Sequence, residues 1–282
     1  MASNQIINRH ISIVGDTAKI CKAMEMIATV KMRRAQDQAI TGRPYVNKIS
    51  QVISDLATQR QMQSKRFPLL DKREVKKISI VHITSDRGLC GDLNNRLNHM
   101  VSDFISQQTV PVNLITVGQK GNSFMCHIEQ DIRAEFGNMD NPLSLFDTHP
   151  VARVVIDDYT KAQADLIYLA YVHFLNTSVQ QPVIEKLLPV EPPESSFGNE
   201  KEEYIWEPDA ATVLGGLLPR YVEIQVYHAI LELIASEHSA RMVAMRNASD
   251  SATEMINDLT LTMNRKRQET ITNEICDITR LT

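Results

Sequence analysis

Apolar positions in the last third of the chain recur with a 4-3 alternation at Leu217, Ile224, Tyr227, Leu231, Ile234, Met245, Ala248, Ala252, Met255 and Leu259, with Arg220, His238 and Arg241 falling on the same phase. From Arg220 to Thr282 there is neither proline nor glycine. The spacing predicts one long helix with a coiled-coil seam. At ~1.5 Å per residue such a helix is roughly 95 Å long and must project from any single domain. The opening segment carries the same pattern at Ile7, Ile11, Val14, Ala18, Cys21, Ala28, Met32, Ala35, Ala39, Gly42, Val46, Ile49, Ile53 and Leu56, broken only by Glu25. This seam is made of small and β-branched residues, with no leucine before Leu56. Small seam residues let two helices approach closely but bury little area each, so such a pair gains its stability from length. The surface outside the seam is expected to be polar. Gly15-Asp16-Thr17 reads as a weak point and Pro44 as a bend, because proline removes one helical hydrogen bond and clashes with the preceding turn.

Heptad segments at both ends suggest that the ends pair with each other, and the spacing fits a parallel or an antiparallel pair. Between them the period changes. Lys77 to Thr84 is a β-rich run, Ser85 to Gly91 a loop, and Asp92 to Gln107 an amphipathic helix. A strand at Val112 to Val117 closes on Gly118-Gln119-Lys120-Gly121; a helical stretch from Val151 to Ala164 precedes apolar runs at Leu166 to Phe174 and Val183 to Val190. Alternating strands and helices predict an α/β layer with a mostly parallel sheet. The organisation expected is an N-terminal helix over 1–58, an α/β domain over 75–190, an irregular acidic connection over 191–209, and a C-terminal helix over 210–282.

Composition sharpens this. Of 282 residues, 43% are hydrophobic but only 5% aromatic, which favours long helices over a thick core. The net charge of −4 gives no global case for nucleic-acid or membrane-surface binding. Locally, Lys19, Lys22, Lys31, Arg33 and Arg34 stand against Glu25 alone. No base-reading or aromatic neighbours accompany them, so an acidic protein partner is the better functional reading beside that of a solvated helix face. Cys21, Cys90, Cys126 and Cys276 are widely spaced and read as free thiols of a reducing cytoplasm. No apolar run approaches the ~20 residues that span a bilayer.

The candidate chemistry sits in Asp86-Arg87-Gly88-Leu89-Cys90-Gly91, at the carboxyl end of a strand, where open α/β sheets place ligands. It does not match a phosphate loop: GxxxxGK[ST] and GxGxxG are both missing, and Asp92 at the helix start repels phosphate and suits an N-cap. Cys90 as a nucleophile, with His82 or His127 as base, would make a cysteine hydrolase, but no nucleophile elbow surrounds it, and a buried structural thiol is the plainer reading. The histidines lack metal-ligand spacing, so no metal or other cofactor is expected. Arg241 on the seam is costly to bury unless a carboxylate faces it.

Four stretches in order carry a family resemblance: Lys22 to Ala28 with Lys31 to Gln36, Ser85 to Gly91, Ser236 to Met245, and Asn264 to Thr272. Together they closely resemble the gamma subunit of bacterial F-type ATP synthases, over almost the whole chain. The resemblance implies a long antiparallel coiled coil of the N- and C-terminal helices with an inserted Rossmann-like α/β domain. It implies a central rotor shaft inside a hexamer of alternating alpha and beta subunits, standing on the c ring and the epsilon subunit, peripheral to the cytoplasmic face of the bacterial plasma membrane. Catalysis then belongs to beta. Carried over residue by residue, Met24 and the basic Lys31, Arg33 and Arg34 lie beside an acidic segment of beta, Arg241 and Gln268 engage a loop of beta, and Tyr204, Trp206 and Glu207 touch the c ring. The sequence departs from the family at Gly15-Asp16-Thr17 and at Asp92, and lacks the cysteine-bearing insert of chloroplast relatives, so thiol control is not expected. The rival reading is a static coiled-coil adaptor.

Overall fold

The computed structural model describes residues 2–58, 67–137, 139, 143–191, 206–207 and 209–280. In chain order they form α1 (Ala2–Thr58), β1 (Ile78–Ile83), α2 (Leu93–Ser106), β2 (Val112–Val117), α3 (Gln119–His127), β3 (Ile132–Phe136), α4 (Leu145–Thr160), β4 (Leu166–Phe174), β5 (Gln180–Leu188) and α5 (Ala210–Arg280). The chain divides into two compact units, one of Met1–Val30 with Arg241–Thr282, the other of Lys31–Ala240. α1 runs unbroken through Gly15 and Pro44, and α5 through Pro219.

The first unit is a helix pair. Ile7, Ala28 and Met245 are buried, and Ile11, Val14, Ala18, Cys21 and Glu25 are half-buried, as the heptad phase of α1 requires. Glu25 is accommodated on that line by an ion pair with Lys22 at 2.8 Å. On α5 the phase slips. Met255 is 54% exposed, while Ile256 is half-buried and approaches Gly15, where a Cβ would lie 3.9 Å from its Cδ1. Burial at Met245, Ser249, Ala252 and Ile256 repeats eleven residues over three turns, the period of a nearly straight helix rather than of a strict heptad. The expected polar surface outside the seam is also corrected. Ile6, Ile13, Ile20 and Ile27, at seven-residue spacing, are 53–60% exposed, and Met26 and Val30 lie open beside them. This second apolar register runs one position ahead of Ile7, Val14, Cys21 and Ala28, and a two-helix seam has no room for it.

The second unit is an α/β domain with one segment of α1 and one of α5. Its sheet has the order β3-β2-β1-β4-β5, in which the first four strands are parallel and β5 is antiparallel to β4. Phe104 of α2 meets Tyr168 edge-on, and Gly121 of α3 abuts His82; since Tyr168 pairs with Ile80, these contacts share one face of the sheet. On the other face α5 lies against the end of β4 and the loop that follows it. Glu232 bonds His173, Ser236 Oγ donates to Val172 O at 3.2 Å, and Ser239 Oγ donates to Thr177 O at 2.9 Å. α4 joins this side through His149 and Glu223. Over 222–236 α5 is buried on more than its seam, at Val222, Ile224, Val226, Ile230, Leu231, Leu233 and Ile234, because one side meets the sheet and another meets α1. A Cβ on Gly42 would sit 3.2 Å from the His228 ring, so α1 and α5 are in close contact here too. From Gly15 facing Ile256 to Gly42 facing His228, a rise of 27 in α1 is met by a fall of 28 in α5. The helices are antiparallel.

Two elements escape the sequence pattern. Gly118-Gln119-Lys120-Gly121, expected to close a strand, instead opens α3, and β3 follows it. α4 starts six residues earlier than expected, at Leu145 after a capping box formed by Ser144 and Asp147. It ends with Ala162 at φ 56°, where Gln163 N bonds Asp158 O at 2.8 Å and Ala162 N bonds Tyr159 O at 3.2 Å. That is a Schellman ending with alanine at the left-handed position that glycine prefers. Ala162→Gly is therefore expected to stabilise the protein by about 1 kcal/mol, measured by urea denaturation. Buried Asp158 pairs with Arg133 of β3 at 2.6 Å; burial raises its carboxyl above the ordinary range against the pull of Arg133. Pro182 sits in β5, where among the described residues no further strand pairs, and proline blunts such an edge against addition of another chain.

Candidate functional site

The carboxyl ends of β1, β2 and β3 surround an open depression of about 500 Å³ lined by Asp86, Arg87, Gln119, Glu135 and Gly137. In a nucleotide-binding sheet, backbone amides here would face phosphate. In this chain those of α3 are already spent. Gly118 N bonds Phe136 O at 2.7 Å, and Gln119 N bonds Asp86 Oδ1 at 3.0 Å. Lys120 N bonds Ser85 O at 3.1 Å, and Gly121 N bonds Thr84 Oγ1 at 2.8 Å. Asp86 and Glu135 add negative charge to the mouth. With these amides bonded within the chain, the loops are tied together and offer no free backbone cradle to a phosphate.

Cys90 is buried and held by its neighbours: Asn94 Nδ2 donates to its Sγ at 3.2 Å, and Asn94 also bonds Ser85. Neither candidate base serves it. The His82 nitrogens have no hydrogen-bond partner among the described residues, and burial lowers the ring's pKa from 6.5 to about 3. His127 stands exposed at the end of α3, and its ring makes no hydrogen bond among the described residues. Asp92 occupies the N-cap position of α2, but its side chain makes no capping bond; Asn94 Oδ1 instead accepts from Ser85 N at 3.2 Å.

The proposed contact residues fall in separate places. In the first unit Met24 is half-buried, with Lys19 paired to Asp16 at 3.0 Å and Lys22 to Glu25 nearby. Arg241 is only 9% exposed, whereas Gln268 is exposed. The 27 residues from Arg241 to Gln268 correspond to ~40 Å of helix, so the two cannot reach one small loop together. In the second unit Lys31 is half-buried, and Arg33 and Arg34 are exposed with no ion-pair partner among the described residues. Trp206 is half-buried against the core and Glu207 is exposed, while Tyr204 lies outside the described residues. The isoleucine line of α1 was missed by the sequence reading, although its seven-residue spacing was there to be counted.

Two chain ends wound antiparallel, with a Rossmann-like layer inserted between them, define a structural subunit. The family model described as ATP synthase matches residues 3–280. An ATP synthase gamma chain of Dehalococcoides mccartyi (strain CBDB1) is 52% identical over 99% of this chain and 97% of its own length. One from Herpetosiphon aurantiacus is 42% identical over the same shares. The central stalk and c-ring structure of Tetrahymena thermophila mitochondrial ATP synthase matches 82% of this chain and 99% of its own, with a TM-score of 0.63 and 27% identity. A Euglena gracilis chain from the OSCP, F1 and c-ring assembly has the same fold, with a TM-score of 0.68 at 20% identity, over 99% of this chain and 93% of that one. The chain belongs to the ATP synthase gamma chain family. It is a non-catalytic subunit of that complex.

Proposed function

We infer that the chain is the central rotor shaft of an F-type ATP synthase, transmitting rotation of the membrane c ring to the catalytic beta subunits and coupling ion flow to ATP synthesis or hydrolysis. The observation that carries this is the correspondence with gamma chains over 99% of the sequence, covering both terminal helices and the domain between them. A static adaptor is not favoured by a likeness that also extends to a central stalk. The finer reading gives it the alpha and beta subunits as a surrounding hexamer, the epsilon subunit and the c ring at the α/β domain, and a peripheral place on the cytoplasmic face of a bacterial plasma membrane. In keeping with this, no helix among the described residues is long and apolar enough to cross a membrane.

A rotor can bias three chemically identical neighbours only by touching them differently, since a conformational equilibrium shifts by no more than the difference in contact energy between its states. Two unlike helices supply that difference. Arg33 and Arg34, exposed and without a counter-charge among the described residues, fit an acidic segment of beta, together with Lys31 and Met24. Arg241 and Gln268 act at two levels of beta rather than one, and Trp206, Glu207 and Tyr204 face the c ring.

Gln268→Ala is expected to lower ATP turnover of the assembled complex about tenfold, equivalent to ~1.4 kcal/mol of hydrogen bonding to beta. Stability of the isolated chain should move by less than about 0.5 kcal/mol, since the side chain is exposed. Arg241→Ala should also cost turnover more than stability, although its buried stem contributes packing as well. Steady-state ATPase assays on the complex, set beside urea melts of the free chain, check both, and equal losses would contradict a contact role.

A further inference from the structure

Among the described residues three helices contain an internal proline: Pro44 in α1, Pro150 in α4 and Pro219 in α5. Each lacks the N–H that would bond a carbonyl one turn back, at Ile40, Phe146 and Gly215 respectively. In α5 the weakness is compounded by Gly215-Gly216, since glycine is the poorest helix former after proline. Beside each proline stands a polar side chain, Tyr45, His149 and Arg220, and these three converge. Arg220 Nη1 bonds Glu223 Oε2 at 2.9 Å, His149 Nδ1 bonds Glu223 Oε1 at 3.0 Å, and the Tyr45 hydroxyl lies close enough to Arg220 to help hold its charge, raising its pKa. Glu223, with its side chain 14% exposed, thus gives one oxygen to α4 and the other to the residue that reaches α1.

We propose that Glu223, with Arg220, Tyr45 and His149, is a clamp that ties α1, α4 and α5 together at the points where proline interrupts their backbone bonding. An ion pair of this exposure adds little to the stability of a whole domain. Its leverage is local. Opening one proline-weakened turn breaks few bonds, so a single shared carboxylate is a large fraction of what holds the turn shut. Because Glu223 joins α4 to α5 directly and reaches α1 through Arg220, the turns are coupled and open together. Resting on the rotor-shaft reading, the clamp sets where the two shaft helices yield under load beside the α/β domain, and α4 is the element that restrains them.

The test is hydrogen exchange by mass spectrometry on the full-length free chain, a measurement independent of rotation. Glu223→Ala is expected to speed exchange about fivefold in three separate windows, 40–48, 146–152 and 216–224, while β1 to β4 stay protected and the melting temperature barely changes. Glu223→Gln, which keeps an acceptor, should give a smaller rise in the same windows. Asp157→Ala, which removes the Asp157–Lys161 pair on α4, is the control and should leave 40–48 and 216–224 unchanged. Faster exchange confined to 216–224, or equal in the control, overturns the clamp. A clamp seen in exchange alongside coupled ATP synthesis that is indifferent to the variant would overturn its role under load while leaving the rotor reading in place.

Discussion

Gly118→Ala is expected to cost the α/β domain about 4 kcal/mol or more, lowering its melting temperature by roughly 10 °C. Gly118 holds φ +97°, and a Cβ there would stand 2.0 Å from the Thr84 carbonyl oxygen and 2.7 Å from its carbon. These are backbone atoms of the segment that follows β1, fixed by a bond from Thr84 N to Val117 O at 2.7 Å, so no rotamer change relieves the overlap. The backbone itself must move, and with it the amides of Gln119, Lys120 and Gly121 that bind the β1 loop. Gly91→Ala is the natural comparison. It also has a positive φ, +63°, but nothing lies within 4 Å of its added Cβ. Only the left-handed backbone cost of about 1–2 kcal/mol applies there. Thermal melts of the two variants followed by circular dichroism should differ accordingly, and similar losses would show that the close approach to Thr84 is not what requires glycine at Gly118.

The second large effect concerns acid. His82 is fully buried in β1 without a hydrogen-bond partner among the described residues, and burial lowers its pKa from 6.5 to about 3. Above pH 6.5 the ring is neutral in folded and unfolded chains, and the group has no effect on stability. Below it the unfolded chain takes up a proton that the folded chain refuses, so stability falls with pH until the folded pKa is reached. At pH 5 the loss from this group is about 2 kcal/mol, at 1.36 kcal/mol per pH step. His82→Leu should flatten the urea midpoint between pH 6.5 and 4, and His82→Asn serves as a second non-titrating variant should leucine pack poorly against Gly121. If the acid limb of the wild type survives in both, the loss originates in other groups.

How far the sequence carried the structure can be judged from these same residues. β1, β2 and β4 announce themselves as apolar runs that are largely buried, and the α1 seam is correct wherever its side chains are described. β3 was missed because Ile132-Arg133-Ala134-Glu135-Phe136 is a five-residue edge strand, too short for its alternation to stand out. α3 was missed for a different reason. Its glycines look like loop punctuation, yet they are there because Thr84 leaves no space for a side chain, a fact of tertiary packing that local pattern does not carry. The slip from Met255 to Ile256 lies in the gap between a 3.5 and a 3.6 repeat, which grows by ~20° per heptad and is invisible over a few turns. The contact residues came from resemblance rather than from spacing. The meeting of Tyr45, His149, Arg220 and Glu223 joins positions up to 178 residues apart, and only the folded chain brings them together.

The row of Ile6, Ile13, Ile20 and Ile27 has a consequence for how the chain must be produced. Whenever synthesis of this polypeptide outruns that of its companions, the surplus copies carry a greasy ridge into water, and ridges of that kind adhere to one another. Balanced translation, with prompt covering of the ridge, is therefore expected to keep the pool from clumping.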